Sequence, residues 1–279
     1  MSCASCHIAE NAFTDALQTA TSNAGKPLER NTPTLTYVAY QKSFFYDGIA
    51  LSLEGQIKNV VENTQEFHTD LLTIEQEILN DSTYVKAFEE LYPNGVTNQN
   101  ITNAIANYER SLGNFSSKFD KNMQGKLENL STSEKNGFNL FMGKAACATC
   151  HFPPVFNGTV PPKFDETELE LIGVPEAKDT INPMVSDDLG RYKLYKVDER
   201  KHYFKTSTVR NIDKTAPYMH NGVYTTLEEI VDFYNKGGGA GLGIDLPNQT
   251  LPSDQLGLTK QEIADLVSFM KSLTDESFK

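Results

Sequence analysis

The 279-residue sequence predicts an all-α protein of two domains, and three observations carry that prediction. The length suits two compact units, since domains most often run to about 100–150 residues. Apolar residues recur at three and four spacing through residues 49–64, 68–80, 82–91 and 98–112, whereas alternating strand-like runs are scarce. One five-residue motif occurs twice, as Cys3-Ala4-Ser5-Cys6-His7 and Cys147-Ala148-Thr149-Cys150-His151. The expected domains are residues 1–125 and 126–279, one motif in each.

The elements follow in order. Within 98–112, Ile101, Ile105, Tyr108 and Leu112 are expected on one apolar face. Ser131-x-x-Glu134 is a capping box opening a helix through Phe138, Leu140 and Phe141 toward the second motif. Residues 152–215 are rich in Pro, Asp and Gly with little period, and read as long loops wrapped around a cofactor. Thr226-x-x-Glu229 opens a helix through Ile230, Val231 and Phe233 that stops at Gly237-Gly238-Gly239. Thr259-x-x-Glu262 opens the last, with Ile263, Leu266, Val267, Met270 and Leu273 on one face.

The repeated motif carries the chemistry. C-x-x-C-H attaches c-type haem: two thiols form thioethers to the vinyl groups and the adjacent histidine reaches the iron. Zinc would need a paired four-ligand arrangement, and a redox dithiol needs no histidine; both readings leave His7 and His151 as coincidences. All four cysteines belong to the two motifs, so two haems are expected. Such attachment takes place outside the cytoplasm. A periplasmic location follows, along with a segment upstream of Ser2 that was removed or is missing. The formal charge of -12 argues against a nucleic-acid partner, and no run approaches the ~20 apolar residues of a membrane span.

The supply of further iron ligands separates roles, because an electron-transfer haem is closed on both faces and a catalytic haem is open on one. Between His7 and Met123 there is no methionine and one other histidine, His68. The first haem is therefore expected to be open, with His68 as the competing ligand. The second half offers Met184, His202, Met219, His220 and several tyrosines.

The chain resembles the bacterial diheme cytochrome c peroxidases and their relative, the diheme maturase MauG. The likeness spans the whole chain and includes Arg30-Asn31-Thr32-Pro33-Thr34, Phe44-Phe45-Tyr46-Asp47-Gly48, Ser52-Leu53-Glu54 with Gln56, and Thr215-Ala216-Pro217-Tyr218-Met219-His220-Asn221-Gly222 followed by Thr226-Leu227-Glu228-Glu229. The resemblance implies two helical cytochrome c domains, the peroxide-reducing haem in the first and an electron-transfer haem in the second. It assigns Gln56 and Glu66 to the peroxide pocket, the carboxylate as acid–base relay and the amide as orienting group. Many family members close the first haem with a histidine in the loop after the first motif; here Ile8 to Leu35 contains none, so no reductive unlocking is expected. Fourteen residues after His220, where the peroxidases place a methionine ligand, this chain has Tyr234, as MauG does. Tyr234 is thus the expected distal ligand of the second haem, with Met219 as competitor. Tyr46 stands where MauG has a Trp, and is expected to relay electrons between the haems. Asn31 and the backbone oxygens of Thr215 and Pro217 match the family's calcium site.

The expected activity is reduction of hydrogen peroxide with electrons from a small cytochrome c or cupredoxin, in a monomer or homodimer. Two alternatives stand beside it: a maturase that oxidises a protein side chain, and a diheme electron carrier with both irons closed.

Overall fold

The computed structural model describes residues 1–126, 129–178 and 181–278. Leu127 and Glu128, beside the expected domain boundary, lie outside the described residues. Among those described, the α-helices are α1 (Leu53–Glu62), α2 (Leu71–Leu79), α3 (Ser82–Leu91), α4 (Asn98–Arg110), α5 (Lys118–Met123), α6 (Thr132–Met142), α7 (Tyr192–Tyr195), α8 (Leu227–Asn235), α9 (Gly238–Gly241) and α10 (Lys260–Ser272). The strands β1 (Leu169–Glu170) and β2 (Phe204–Lys205) form one short antiparallel pair.

Local chemistry sets the helix starts. Ser52, Asp70, Asp81, Thr97, Ser117, Ser131, Thr226 and Thr259 each accept a backbone N–H of the first turn through the side-chain oxygen. Full capping boxes form at Ser131, Thr226 and Thr259, as the sequence predicts, and also at Ser117. The chain leaves α8 through Gly237 at φ 91, a left-handed conformation that costs glycine little, and then makes the extra turn α9.

Burial divides the apolar residues into two clusters. Val38, Phe44, Ala50, Leu53, Ile57, Val61 and Ala106 gather where α1 packs on α4. The larger cluster lies under α6, α8 and α10 and includes Phe141, Phe156, Phe233, Leu266, Phe269 and Leu273. Phe119 of α5 joins this second cluster although it precedes residue 125. α10 buries Leu266, Val267 and Met270, the next residue Leu273 is buried with them, and Ile263 packs at the margin. Gly137 lets α6 approach α10 closely: a Cβ there would meet the Asp265 carbonyl oxygen at 2.0 Å.

One expected face is corrected. Tyr108 is 59% exposed, and α4 instead buries Ile101, Thr102, Ala106 and Glu109, with Ile105 partly covered. An acid, Glu109, therefore sits four residues beyond Ile105 on the inward face.

Candidate functional site

Both C-x-x-C-H motifs fold into the same turn. A 3-10 segment spans Cys3–Ser5 in one and Cys147–Thr149 in the other, and in each the histidine N–H donates to the first cysteine's carbonyl at 2.9 Å. His7 Nδ1 lies 2.9 Å from the Phe13 carbonyl oxygen, and His151 Nδ1 lies 3.3 Å from that of Phe156. A carbonyl only accepts, so Nδ1 carries the hydrogen in both rings and Nε2 keeps a lone pair for a metal. Burial lowers both histidine pKa values, favouring the neutral, ligating form. Tied rings beside paired cysteines fit one covalently bound haem per motif.

The second motif opens on a cavity of about 300 Å³, within the size range of cofactor pockets. Cys147, Cys150 and His151 line it, with Phe141 of α6, Ile230, Val231 and Tyr234 of α8, and Leu266 and Met270 of α10. Burial pushes the Cys147 thiol up to about 12 and the Cys150 thiol up to about 11. Glu168 and Glu170 come near Cys150, and their ligand atoms and its sulfur lie within 4.8 Å of one another. Were Cys150 a haem thioether, its sulfur would be no metal ligand of the ordinary thiolate kind, and this group would form an acidic rim of the cavity.

The candidate sixth ligands differ in their commitments. Met184 is 70% exposed. His202 Nδ1 bonds the Asp188 carbonyl at 3.0 Å. Buried His220 has Nε2 3.1 Å from Ser186 Oγ and stacks on Phe204 at 3.8 Å, and burial lowers its pKa to about 4. Met219 and Tyr234 both line the cavity. The Tyr234 hydroxyl has no hydrogen-bond partner among the described residues, and burial, followed by Cys147, Cys150 and Glu170, raises its pKa.

The same cavity reaches the other half of the chain, where Asn31 and Tyr46 line it opposite Thr215 and Pro217 of the second half. The Tyr46 hydroxyl donates to Asn31 Oδ1 at 3.2 Å, and Asn31 Nδ2 donates to the Leu17 carbonyl at 2.8 Å. Arg30 bridges Asp47 at 2.7 Å and Asp188 at 2.6 Å, clamping the two halves beside this wall. Sequence reasoning missed Lys205 here. It lines the cavity, its Nζ donates to the Ser43 carbonyl at 3.1 Å and to Gln41, and burial lowers its pKa to about 8.

The first motif is more open. Cys3 is exposed, Cys6 and His7 are half-buried. α1 carries Gln56, and Glu66 lies in the turn beyond the helix, its Oε1 accepting Asn63 Nδ2 at 2.6 Å. No hydrogen bond joins Gln56 to Glu66 among the described residues. Burial raises the Glu66 pKa against that Asn63 bond, and the Glu66 and Asp15 carboxylates both act on the Cys6 thiol. His68 is exposed. Glu109, also missed, acts on Cys3; it is 7% exposed, its Oε2 is unpartnered, and burial raises its pKa to about 7. The signal that would have found it is an acid inside the α4 apolar stripe.

This geometry describes a helix-rich protein with two C-x-x-C-H turns of the kind that attach c-type haem. A family model for the di-haem cytochrome c peroxidases matches residues 1–128. The cytochrome-c peroxidase IdrP1 of Pseudomonas sp. (strain SCT) is 33% identical over 294 residues, covering 98% of this chain and 76% of that protein. The methylamine utilization protein MauG of Methylorubrum extorquens is 28% identical, covering 99% of this chain and 73% of that one. Among solved structures, a MauG-like protein associated with microbial copper homeostasis superposes with a TM-score of 0.81 at 26% identity, covering 100% of this chain and 87% of that one. The diheme peroxidase BthA of Burkholderia thailandensis shares the fold at a TM-score of 0.77 and 23% identity, over 100% of this chain and 82% of its own. The chain belongs to the family of the diheme cytochrome c peroxidases and MauG, which implies two haems.

Proposed function

We propose that this protein is a periplasmic peroxidase that reduces hydrogen peroxide to water with electrons from a small cytochrome c or cupredoxin. The observation that carries the reading is the pairing of two like haem turns with different surroundings: one with Cys3 exposed beside Glu66, and one facing a partly open, largely apolar cavity with the unpartnered Tyr234. Residues 1–125 would form the peroxidatic domain and 126–279 the electron-transfer domain. Bound through Cys3, Cys6 and His7, and through Cys147, Cys150 and His151, the haems would supply the redox-active iron.

The chain's own groups have separable tasks. Glu66 would take a proton from the near peroxide oxygen and return it to the far one, and burial, by raising its pKa, makes its carboxylate a stronger proton acceptor. Gln56 would orient peroxide through its amide. Tyr46, on the wall shared by both halves, would relay electrons. Tyr234 would ligate the second iron, a ferric ion supplying the positive charge that burial denies its phenolate. Asn31 Oδ1 and the carbonyls of Thr215 and Pro217 suit a calcium ion held by neutral oxygens. Thr215 and Pro217 oxygens accept no backbone hydrogen bond among the described residues, which leaves them free for that role.

The test is Glu66→Gln in haem-loaded protein. Loss of the relay should lower kcat/KM for peroxide by roughly 10²–10⁴ with unchanged haem content, while an unchanged rate would remove Glu66 from the mechanism. Tyr234 favours a second reading, oxidation of a protein side chain as by a maturase. The electron-carrier reading needs His68, or a group from outside the chain, on the first iron.

A further inference from the structure

We propose that Tyr37, with Asp275 as its proton acceptor, is a redox-active tyrosine that takes oxidising equivalents from the second haem site and passes them to Tyr40 at the surface. Tyr37 and Asp275 are both 0% exposed, and the phenol donates to Asp275 Oδ2 at 2.7 Å. The carboxylate also receives Ser116 N–H at 2.9 Å and Asn211 Nδ2 at 3.2 Å, and no lysine or arginine pairs with it among the described residues. Tyr40 lies 6.4 Å from Tyr37, ring centre to ring centre, and is 47% exposed.

Three rings and one guanidinium lie between this pair and the second haem motif. The His151 ring lies 6.3 Å from Phe141, and Phe141 lies 5.6 Å from Phe156. The Arg210 guanidinium sits 5.7 Å from the Phe156 ring and 5.0 Å from the Tyr37 ring. Phenylalanine is too hard to oxidise to hold a hole, and the chain has no Trp. Tyr37 and Tyr40 are therefore the oxidisable side chains on this line.

Oxidation of a phenol makes its proton strongly acidic, so a buried tyrosine turns over only beside a base within hydrogen-bond reach. Asp275 is such a base for Tyr37. Tyr46, by contrast, donates to an amide oxygen, a very weak base. Arg210 would oppose positive charge on the Tyr37 ring, but proton transfer leaves that ring neutral, and Arg210 is itself paired with Asp120 at 2.7 and 2.8 Å. In the step, one electron leaves Tyr37 for the oxidised haem site and its proton moves to Asp275 Oδ2, giving a neutral tyrosyl radical. Tyr40 then returns an electron, releasing its own proton to water, and Tyr37 recovers its proton from Asp275. An external one-electron reductant, with a proton taken back from water, restores Tyr40.

The source of the oxidant rests on the peroxidase reading, so the test has two arms on the haem-loaded protein. In one, peroxide is added and paramagnetic resonance is recorded on protein carrying ring-deuterated tyrosine. In the other, a soluble ruthenium photosensitiser supplies the hole without peroxide. A tyrosyl signal is expected in both arms, lost in Tyr37→Phe and in Asp275→Asn, and longer-lived in Tyr40→Phe, with haem spectra and circular dichroism unchanged. A radical in the light-driven arm alone supports the Tyr37 site and counts against the peroxidase reading. No tyrosyl signal in either arm, or one that persists in Tyr37→Phe, overturns the inference.

Discussion

The two haem motifs share a backbone turn and differ in almost everything around it. At the second, the cysteines and histidine face a partly open, largely apolar cavity beside a cluster of twenty buried residues; at the first, Cys3 is exposed and the nearby cluster has seven. The turn fixes how a haem would be attached, since both histidines tie Nδ1 to a carbonyl and free Nε2. On the proposed reading the surroundings would then divide the roles. A cofactor that completes a core is held on both faces, whereas one at the surface beside acids is reachable by a small substrate and by protons.

The largest effect should come from emptying the second site. Without its haem the second site would leave about 300 Å³, lined largely by apolar side chains of the main core, open to water. The double substitution Cys147→Ala with Cys150→Ala should therefore unfold the C-terminal half, read by near-ultraviolet dichroism. Cys3→Ala with Cys6→Ala should remove a haem and leave that half folded. Equal damage from both pairs would break the comparison.

Arg210→Met probes the same core. Arg210 is 1% exposed, Asp120 6%, and removing one partner of a buried pair costs about 3–5 kcal/mol. Urea unfolding should show that loss, whereas an exposed pair such as Lys86–Glu90 should contribute under about 0.5 kcal/mol.

Glu109 sharpens the other side. Its carboxyl is raised from 4.5 to about 7 by burial, with Arg110 opposing and Glu54 adding. Between those values the unfolded chain releases the proton and the folded chain keeps it, so this group removes stability as pH rises through that window, by about 3 kcal/mol in all. Glu109→Gln should flatten the pH dependence of unfolding there and stabilise the protein above pH 7. An unchanged slope would mean that the carboxyl has a partner in the haem-loaded protein.

Much of this division was legible in the sequence because its determinants are local. The haem turns, the capping boxes at Ser131, Thr226 and Thr259, and the α10 face are set within a few residues. The Tyr108 face was misjudged because three and four spacing fits two neighbouring stripes of a helix, and only packing on α1 selects the one with Glu109. Arg210–Asp120 spans 90 residues and Tyr37–Asp275 spans 238, and no periodicity reports such pairings. Lys205 was hidden in a loop whose composition signals irregular backbone but not what that backbone buries.

The most direct measurement is paramagnetic resonance of the fully oxidised, haem-loaded protein beside Tyr234→Phe. The account predicts one high-spin signal from the open first haem and one low-spin signal from the second, only the latter altered by the substitution, and both lost on adding peroxide. Two low-spin signals indifferent to Tyr234→Phe and to peroxide would contradict it.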